Sequence, residues 1–324
     1  MKGTLQGAFC LASTASAQND PIKVGMIGLD TSHVTAFTEI LNDPNHPNHV
    51  PGTRVVAGYK GGSPDMERST SRIERFTGEL EQKWQVRLFD SIPELCRQVD
   101  LVLLTSVDGR VHLEQARPVI AARLPLFVDK PLAASYRDAK EIYRLAGESS
   151  VPVFSASSVR YYADVDAVAE QERIGEIRGA DVWTGALVEP GHPGLFFYGI
   201  HGVEFLYRIL GTGCEEVQHY AGSDQDVVVG RWTDGRLGTL RALKSYGRGF
   251  GAALFGSRGA APVPDRTGNY YPSMYAELLK RIVEFSRTGK SPVAPEETLE
   301  IMAFMQAAHE SQRSGKPFRL SDLA

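Results

Sequence analysis

Several short stretches combine residue types and spacings that could do chemistry. In Gly28-Leu29-Asp30-Thr31-Ser32-His33 a glycine ends an apolar run and polar residues open a helical pattern. Such a turn could offer helix N-terminal amides, with the hydroxyls of Thr31 and Ser32, to a phosphate. A dinucleotide fingerprint, G-x-G-x-x-G/A, would put glycines where Asp30 and His33 stand, so only Gly28 matches. A carboxylate at Asp30 would repel a pyrophosphate unless it turned away to cap the helix. A ligand-free Asx-type cap is therefore the alternative. Lys60 and Ser63 follow the run Val55–Tyr59. A cation with a hydroxyl there suits a ribose 2′-phosphate, whereas Asp or Glu would suit a free 2′-OH. The alternative is a solvated loop lysine. His192, His201 and Glu204 could in principle ligate a metal, but their spacing matches no standard motif and no metal is expected.

The elements that must position these residues alternate. Apolar runs at Ile22–Ile27, Arg54–Tyr59, Leu101–Leu104, Leu126–Val128 and Val153–Phe154 read as buried strands with helices between them. Ser91-Ile92-Pro93-Glu94 and Ser135-Tyr136-Arg137-Asp138 read as helix starts. The expected class is α/β, with an N-terminal doubly wound parallel sheet (Rossmann type) over residues 21–150. Ligands bind such sheets beyond the strand C-termini. The chemistry should then cluster at Gly28–His33, Tyr59–Ser63, Thr105–His112 and Asp129–Pro131. Residues 151–324 carry strand-like segments between Gly turns, with helices at Leu195–Leu210, Tyr271–Arg287 and Pro295–Ser314. They should form a second α/β domain with a large open, mostly antiparallel sheet.

Composition narrows the field. Lys+Arg of 35 against Asp+Glu of 39, net charge −4, argues against a nucleic-acid partner. No apolar run is long enough for a membrane span. Three cysteines, Cys10, Cys96 and Cys214, cannot make a disulfide framework. Met1–Asp20 has its own character. Ala15-Ser16-Ala17-Gln18 is an A-x-A cleavage pattern, and Lys2-Gly3-Thr4-Leu5 resembles the middle of a twin-arginine signal whose front is missing. An exported, periplasmic location is expected on that basis. The alternative is a disordered tail on a cytoplasmic protein.

From Ile22 to the C-terminus the chain resembles the Gfo/Idh/MocA oxidoreductases, glucose-fructose oxidoreductase and inositol dehydrogenase among them. The resemblance is carried by Val24-Gly25-Met26-Ile27-Gly28, Thr105 followed by His112, and Val128-Asp129-Lys130-Pro131-Leu132. It continues through Arg160-Tyr161, Gly175-Glu176-Ile177, Gly199-Ile200-His201 and Gly256-Ser257-Arg258-Gly259. It implies an NAD(P)-dependent oxidoreductase acting on a CH–OH group of a sugar or polyol, with NADP favoured over NAD by Lys60 and Ser63. Lys130 and His201 would be catalytic. Gly28, Asp30, Thr31, Ser32, His33, Lys60, Ser63, Thr105, His112, Asp129 and Lys130 would face the cofactor. Arg160, Tyr161, Tyr198 and His201 would face a sugar-like substrate, and the C-terminal sheet would join a homo-oligomer, dimer or tetramer. Two positions depart from the family pattern: the glycine-poor turn, and Phe197 where an acidic partner for the histidine is common. They match what a non-redox use of the scaffold would show, as a lyase, hydrolase or hydratase on a keto-sugar. A catalytically silent homologue is the remaining alternative.

Overall fold

A computed structural model describes residues 20–245, 249–264 and 271–323. The expected leader at residues 1–19, with Cys10, and the glycine at 247 lie outside them. The first half runs β1 (Ile22–Ile27), α1 (Ser32–Asn42), β2 (Thr53–Tyr59), α2 (Glu67–Thr70), α3 (Ile73–Trp84) and β3 (Arg87–Leu88). It continues with α4 (Ile92–Cys96), β4 (Leu101–Leu104), α5 (His112–Ala121), β5 (Leu126–Asp129), α6 (Tyr136–Ser149) and β6 (Val153–Ala156). These six strands form one sheet in the order β3-β2-β1-β4-β5-β6, every pair parallel. That is the Rossmann order, whose switch point lies between β1 and β4. β6 pairs with β5, so this sheet reaches past the expected boundary at residue 150.

The second half runs α7 (Asp164–Ala169), β7 (Ile177–Gly185), α8 (Ile200–Leu210), β8 (Cys214–Ala221), β9 (Gln225–Trp232) and β10 (Leu237–Leu243). β11 (Phe250–Gly256), β12 (Ala260–Val263), α9 (Tyr271–Thr288), α10 (Pro295–Ser314) and β13 (Phe318–Arg319) follow. Seven strands order as β12-β11-β7-β10-β9-β8-β13, with β7 and β10 the one parallel pair. The fold is thus α/β, as expected.

Local chemistry explains the element ends. Ser91 and Ser135 accept from the amides of Glu94 and Asp138, capping α4 and α6. Gly28 has φ +82°, and a Cβ there would lie 2.4 Å from Ser106 Cα, so only glycine lets β1 end against the β4 loop. α9 returns to the first sheet. Its Leu278, Ile282 and Phe285 join Phe127 and Phe154 in one core, Phe285 meeting Phe154 edge-on at 4.7 Å. The two halves therefore share a core across the sequence boundary.

Candidate active site

The C-terminal ends of β1, β5 and β6 and the start of α8 meet at one small cavity. Thr31, Ser32 and His33 from the start of α1, Lys130 beyond β5, and Tyr198 and His201 around the start of α8 line it. Its free volume is about 60 Å³, room for roughly four to six waters. That is the scale of one small ring-sized ligand.

His33 points across to β5. Its Nδ1 lies 2.5 Å from Asp129 Oδ2, while Asp129 Oδ1 accepts from the Lys130 amide at 2.9 Å. Burial pushes the Asp129 carboxyl up, but the charge and hydrogen bond of His33, with Lys130 behind them, bring it down to about 2. Lys130 Nζ is 5.4 Å above the Tyr198 ring and has no carboxylate within ion-pair distance among the described residues. His201 comes from the first turn of α8. Its Nδ1 is 2.7 Å from Ser157 Oγ, and Tyr198 meets its ring edge-on at 5.4 Å. Burial, then the charges of Lys130 and His33, pulls the His201 imidazole well below its usual value and keeps it neutral.

Other expected site residues are committed elsewhere. Arg160 is not in the cavity; it is buried between Glu204 and Glu297, its Nε 2.9 Å from Glu204 Oε2. Glu204 also accepts from the Ser157 amide at 3.1 Å, so this ion network holds the strand end that holds His201. Tyr161 is likewise outside the cavity, half-buried against the core shared with α9, and burial pushes its phenol up to about 12. Thr105 Oγ1 donates to the carbonyls of Ile27 and Gly28. The buried His112 ring bridges the carbonyls of Pro131, at 3.0 Å, and Ser106, at 2.9 Å, and ties the β4 loop to the β5 loop. Thr105 and His112 therefore brace the site from behind, and neither side chain is open to a cofactor.

The dinucleotide crevice has an occupant from the chain itself. Asp30 is fully buried and does not cap α1; Thr31 does. The Asp30 carboxylate instead accepts from Ser69 Oγ at 2.6 Å and from the Val107 amide at 2.8 Å, bridging α2 to the β4 loop across the switch point. Burial raises its pKa despite these bonds. Lys60 pairs with Glu74 at 2.5 Å, and Ser63 is buried, its amide donating to Ser69 Oγ. Gly61 packs so closely on Gly28 that a Cβ would be 3.4 Å from the Gly28 Cα. Asp65 pairs with Arg110, which also holds the buried Asp108, and Arg68 pairs with Glu189. The Asp30 carboxylate thus stands at the switch point where a pyrophosphate would approach, which does not suit a nicotinamide dinucleotide. Lys60 is 43% exposed beside Glu74, and Ser63 is buried.

The sequence reasoning missed Ser157, Arg68 and Tyr275. Ser157 follows a parallel strand, and topology could have flagged it. Arg68 arrives on the four-residue α2 and Tyr275 on α9, far away in sequence, and neither carries a local signal. Phe197, which stands where the family commonly has an acid, packs on His192 and beneath Arg68. The anchor that the acid would have supplied to His201 is Ser157 instead.

The oxidoreductase family with an NAD-binding Rossmann fold, GFO_IDH_MocA, matches residues 22–157. No curated protein matches the chain significantly. Among solved structures, a probable dehydrogenase from Thermotoga maritima is 20% identical with a TM-score of 0.77, covering 94% of this chain and 100% of that one. Myo-inositol 2-dehydrogenase from Lactobacillus plantarum is 14% identical with a TM-score of 0.75, covering 92% of this chain and 99% of that one. Scyllo-inositol dehydrogenase from Lactobacillus casei, with bound NAD(H) and scyllo-inositol, is 13% identical with a TM-score of 0.74, covering 93% and 100%. At these identities the likeness is one of fold. Residues 22–157 are thus similar to the NAD-binding Rossmann domain of the Gfo/Idh/MocA oxidoreductase family.

Proposed function

We propose that this chain is an enzyme acting on a small polyhydroxylated substrate, a sugar or cyclic polyol, at the cavity between the two sheets. The Lys130 ammonium holds the substrate oxygen where charge develops, and His201 supplies a neutral imidazole beside it. Lys130 has no competing carboxylate, so its charge is available to an alkoxide or enolate oxygen. The family match over residues 22–157 favours oxidation of CH–OH to C=O with NAD(P) as hydride acceptor, and the inositol bound by the Lactobacillus casei protein suggests the substrate class.

One observation favours a second reading, and it carries our conclusion. The Asp30 carboxylate is bonded to Ser69 and to the Val107 amide across the switch point that a nucleotide's phosphates would approach. The cavity that is left suits one ring. We therefore favour a non-redox reaction on a keto-sugar or keto-polyol, an elimination, hydration or related proton transfer, over a nucleotide-dependent oxidation. The test is turnover of keto-sugars and keto-inositols without nucleotide, followed by NMR. Lys130→Met should lower turnover by roughly 10²–10³-fold with the fold intact. Turnover by that variant at the wild-type rate would contradict the assignment.

A further inference from the structure

The hydrogen-bond network places two imidazoles at this cavity in opposite tautomers, and neither fact follows from the family. With Nδ1 2.5 Å from the Asp129 carboxylate, the neutral form of His33 carries its hydrogen on Nδ1 and its lone pair on Nε2. Nε2 has no hydrogen-bond partner among the described residues, and His33 lines the cavity. The ring cannot turn freely. It stacks on Phe37 at 4.9 Å and meets Tyr275 edge-on at 5.0 Å. Asp129 is held in turn by the Lys130 amide.

His201 is arranged the other way. Ser157 Oγ accepts from the Val159 amide at 3.2 Å, and among the described residues its hydrogen has no other acceptor than His201 Nδ1, 2.7 Å away, so it is directed there. A neutral His201 then carries its hydrogen on Nε2. This nitrogen also lacks a hydrogen-bond partner among the described residues. One imidazole offers a lone pair and the other a hydrogen, with the Lys130 ammonium beside them.

We propose that His33, oriented by Asp129, is the general base of a nucleotide-free proton abstraction from a carbon next to a ketone. This inference rests on the substrate reading above and gives it a reaction. His33 Nε2 takes the proton and the C–H bond breaks. The electron pair forms the C=C bond of an enolate, whose oxygen is held by Lys130 Nζ and His201 Nε2–H. The proton on His33 then returns to the carbon or passes to a departing β-oxygen, so no oxidant or reductant is consumed. His33 is the catalytic residue here, and Asp129 is a positioning residue that sets its tautomer.

The test is hydrogen–deuterium exchange in D2O at the carbons flanking the carbonyl of 2-keto-myo-inositol and of a 3-keto-hexose, read by NMR without nucleotide. The wild-type protein should accelerate exchange with at least one of the two. His33→Gln should lose about 10²–10⁴-fold of that acceleration. Asp129→Asn should lower kcat by a comparable factor while leaving KM in place, which a merely structural role would not do. Arg144→Ala, on the outer face of α6, should exchange at the wild-type rate. Exchange surviving in His33→Gln overturns the proposal, as does calorimetric binding of the keto-sugars by wild type without any accelerated exchange. In the latter case the substrate reading stands. Failure of wild type to bind or exchange either compound overturns both.

Discussion

At the scale of single residues, the chain spends buried charge on positioning. Arg160 is enclosed by Glu204 and Glu297, and removing one member of a buried ion network leaves the rest uncompensated. Arg160→Ala should destabilise the fold by about 3–5 kcal/mol, measured by denaturant unfolding. It should also release Ser157, which Glu204 holds, and so loosen His201. A stability change within about 0.5 kcal/mol would mean the pairing does not hold the fold. Asp129 makes a pH prediction. Its folded pKa, about 2, is below its reference value of 3.8. A depressed carboxylate contributes stability that is present above the unfolded pKa and lost as pH falls through the folded one. The window is therefore about pH 4 down to pH 2, and the loss is about 2 kcal/mol. Wild type should show this loss in acid unfolding titrations, and Asp129→Asn should show less of it.

At the scale of elements, most of the frame was legible and the cover was not. The strand–helix alternation, the caps at Ser91 and Ser135 and helix α10 all follow from period, capping chemistry and Pro295 at its start. Lys130 was legible from its strand-end place and from the family resemblance, and His201 from the resemblance alone; both line the cavity. Thr105 and His112 were read as ligand-facing from strand-end position, and Arg160 from the resemblance. Strand-end position does not reveal whether a side chain turns toward the crevice or back into the scaffold. The short α2 had no apolar period to announce it. Its effect on the site comes through Ser69, whose hydroxyl meets Asp30 and the Ser63 amide. The return of α9 to the first sheet is a tertiary fact that local pattern cannot contain. Its Phe285 has no exposure and packs on Phe154. Phe285→Ala should cost about 3–5 kcal/mol and unfold both halves in one transition. Two separate melting transitions in wild type would contradict a shared core.

At the scale of the whole molecule, the seven-stranded sheet leaves one broad face uncovered among the described residues. Tyr220, Leu237 and Phe255 are 60%, 52% and 41% exposed on it, and Trp183, Val227, Leu243 and Ala253 line a groove there beside Asp181, Thr239 and Arg241. Exposed apolar residues clustered in this way mark an association face. We expect the chain to form a dimer or tetramer through it. Sedimentation velocity should show an oligomer that Val227→Glu converts to monomer, and a monomeric wild type would contradict this. Export through the twin-arginine-like leader remains a proposal of the sequence, tested by cell fractionation. No helix among the described residues is long and apolar enough to cross a membrane.

We propose that this chain works without a nucleotide, because Asp30 turns across the switch point to Ser69 and the Val107 amide. Calorimetric titration of the purified protein with NADH and with NADPH tests it most directly. The account predicts no saturable heat for either nucleotide up to millimolar concentration. Saturable binding of either in the micromolar range, followed by hydride transfer to or from a polyol, would contradict it.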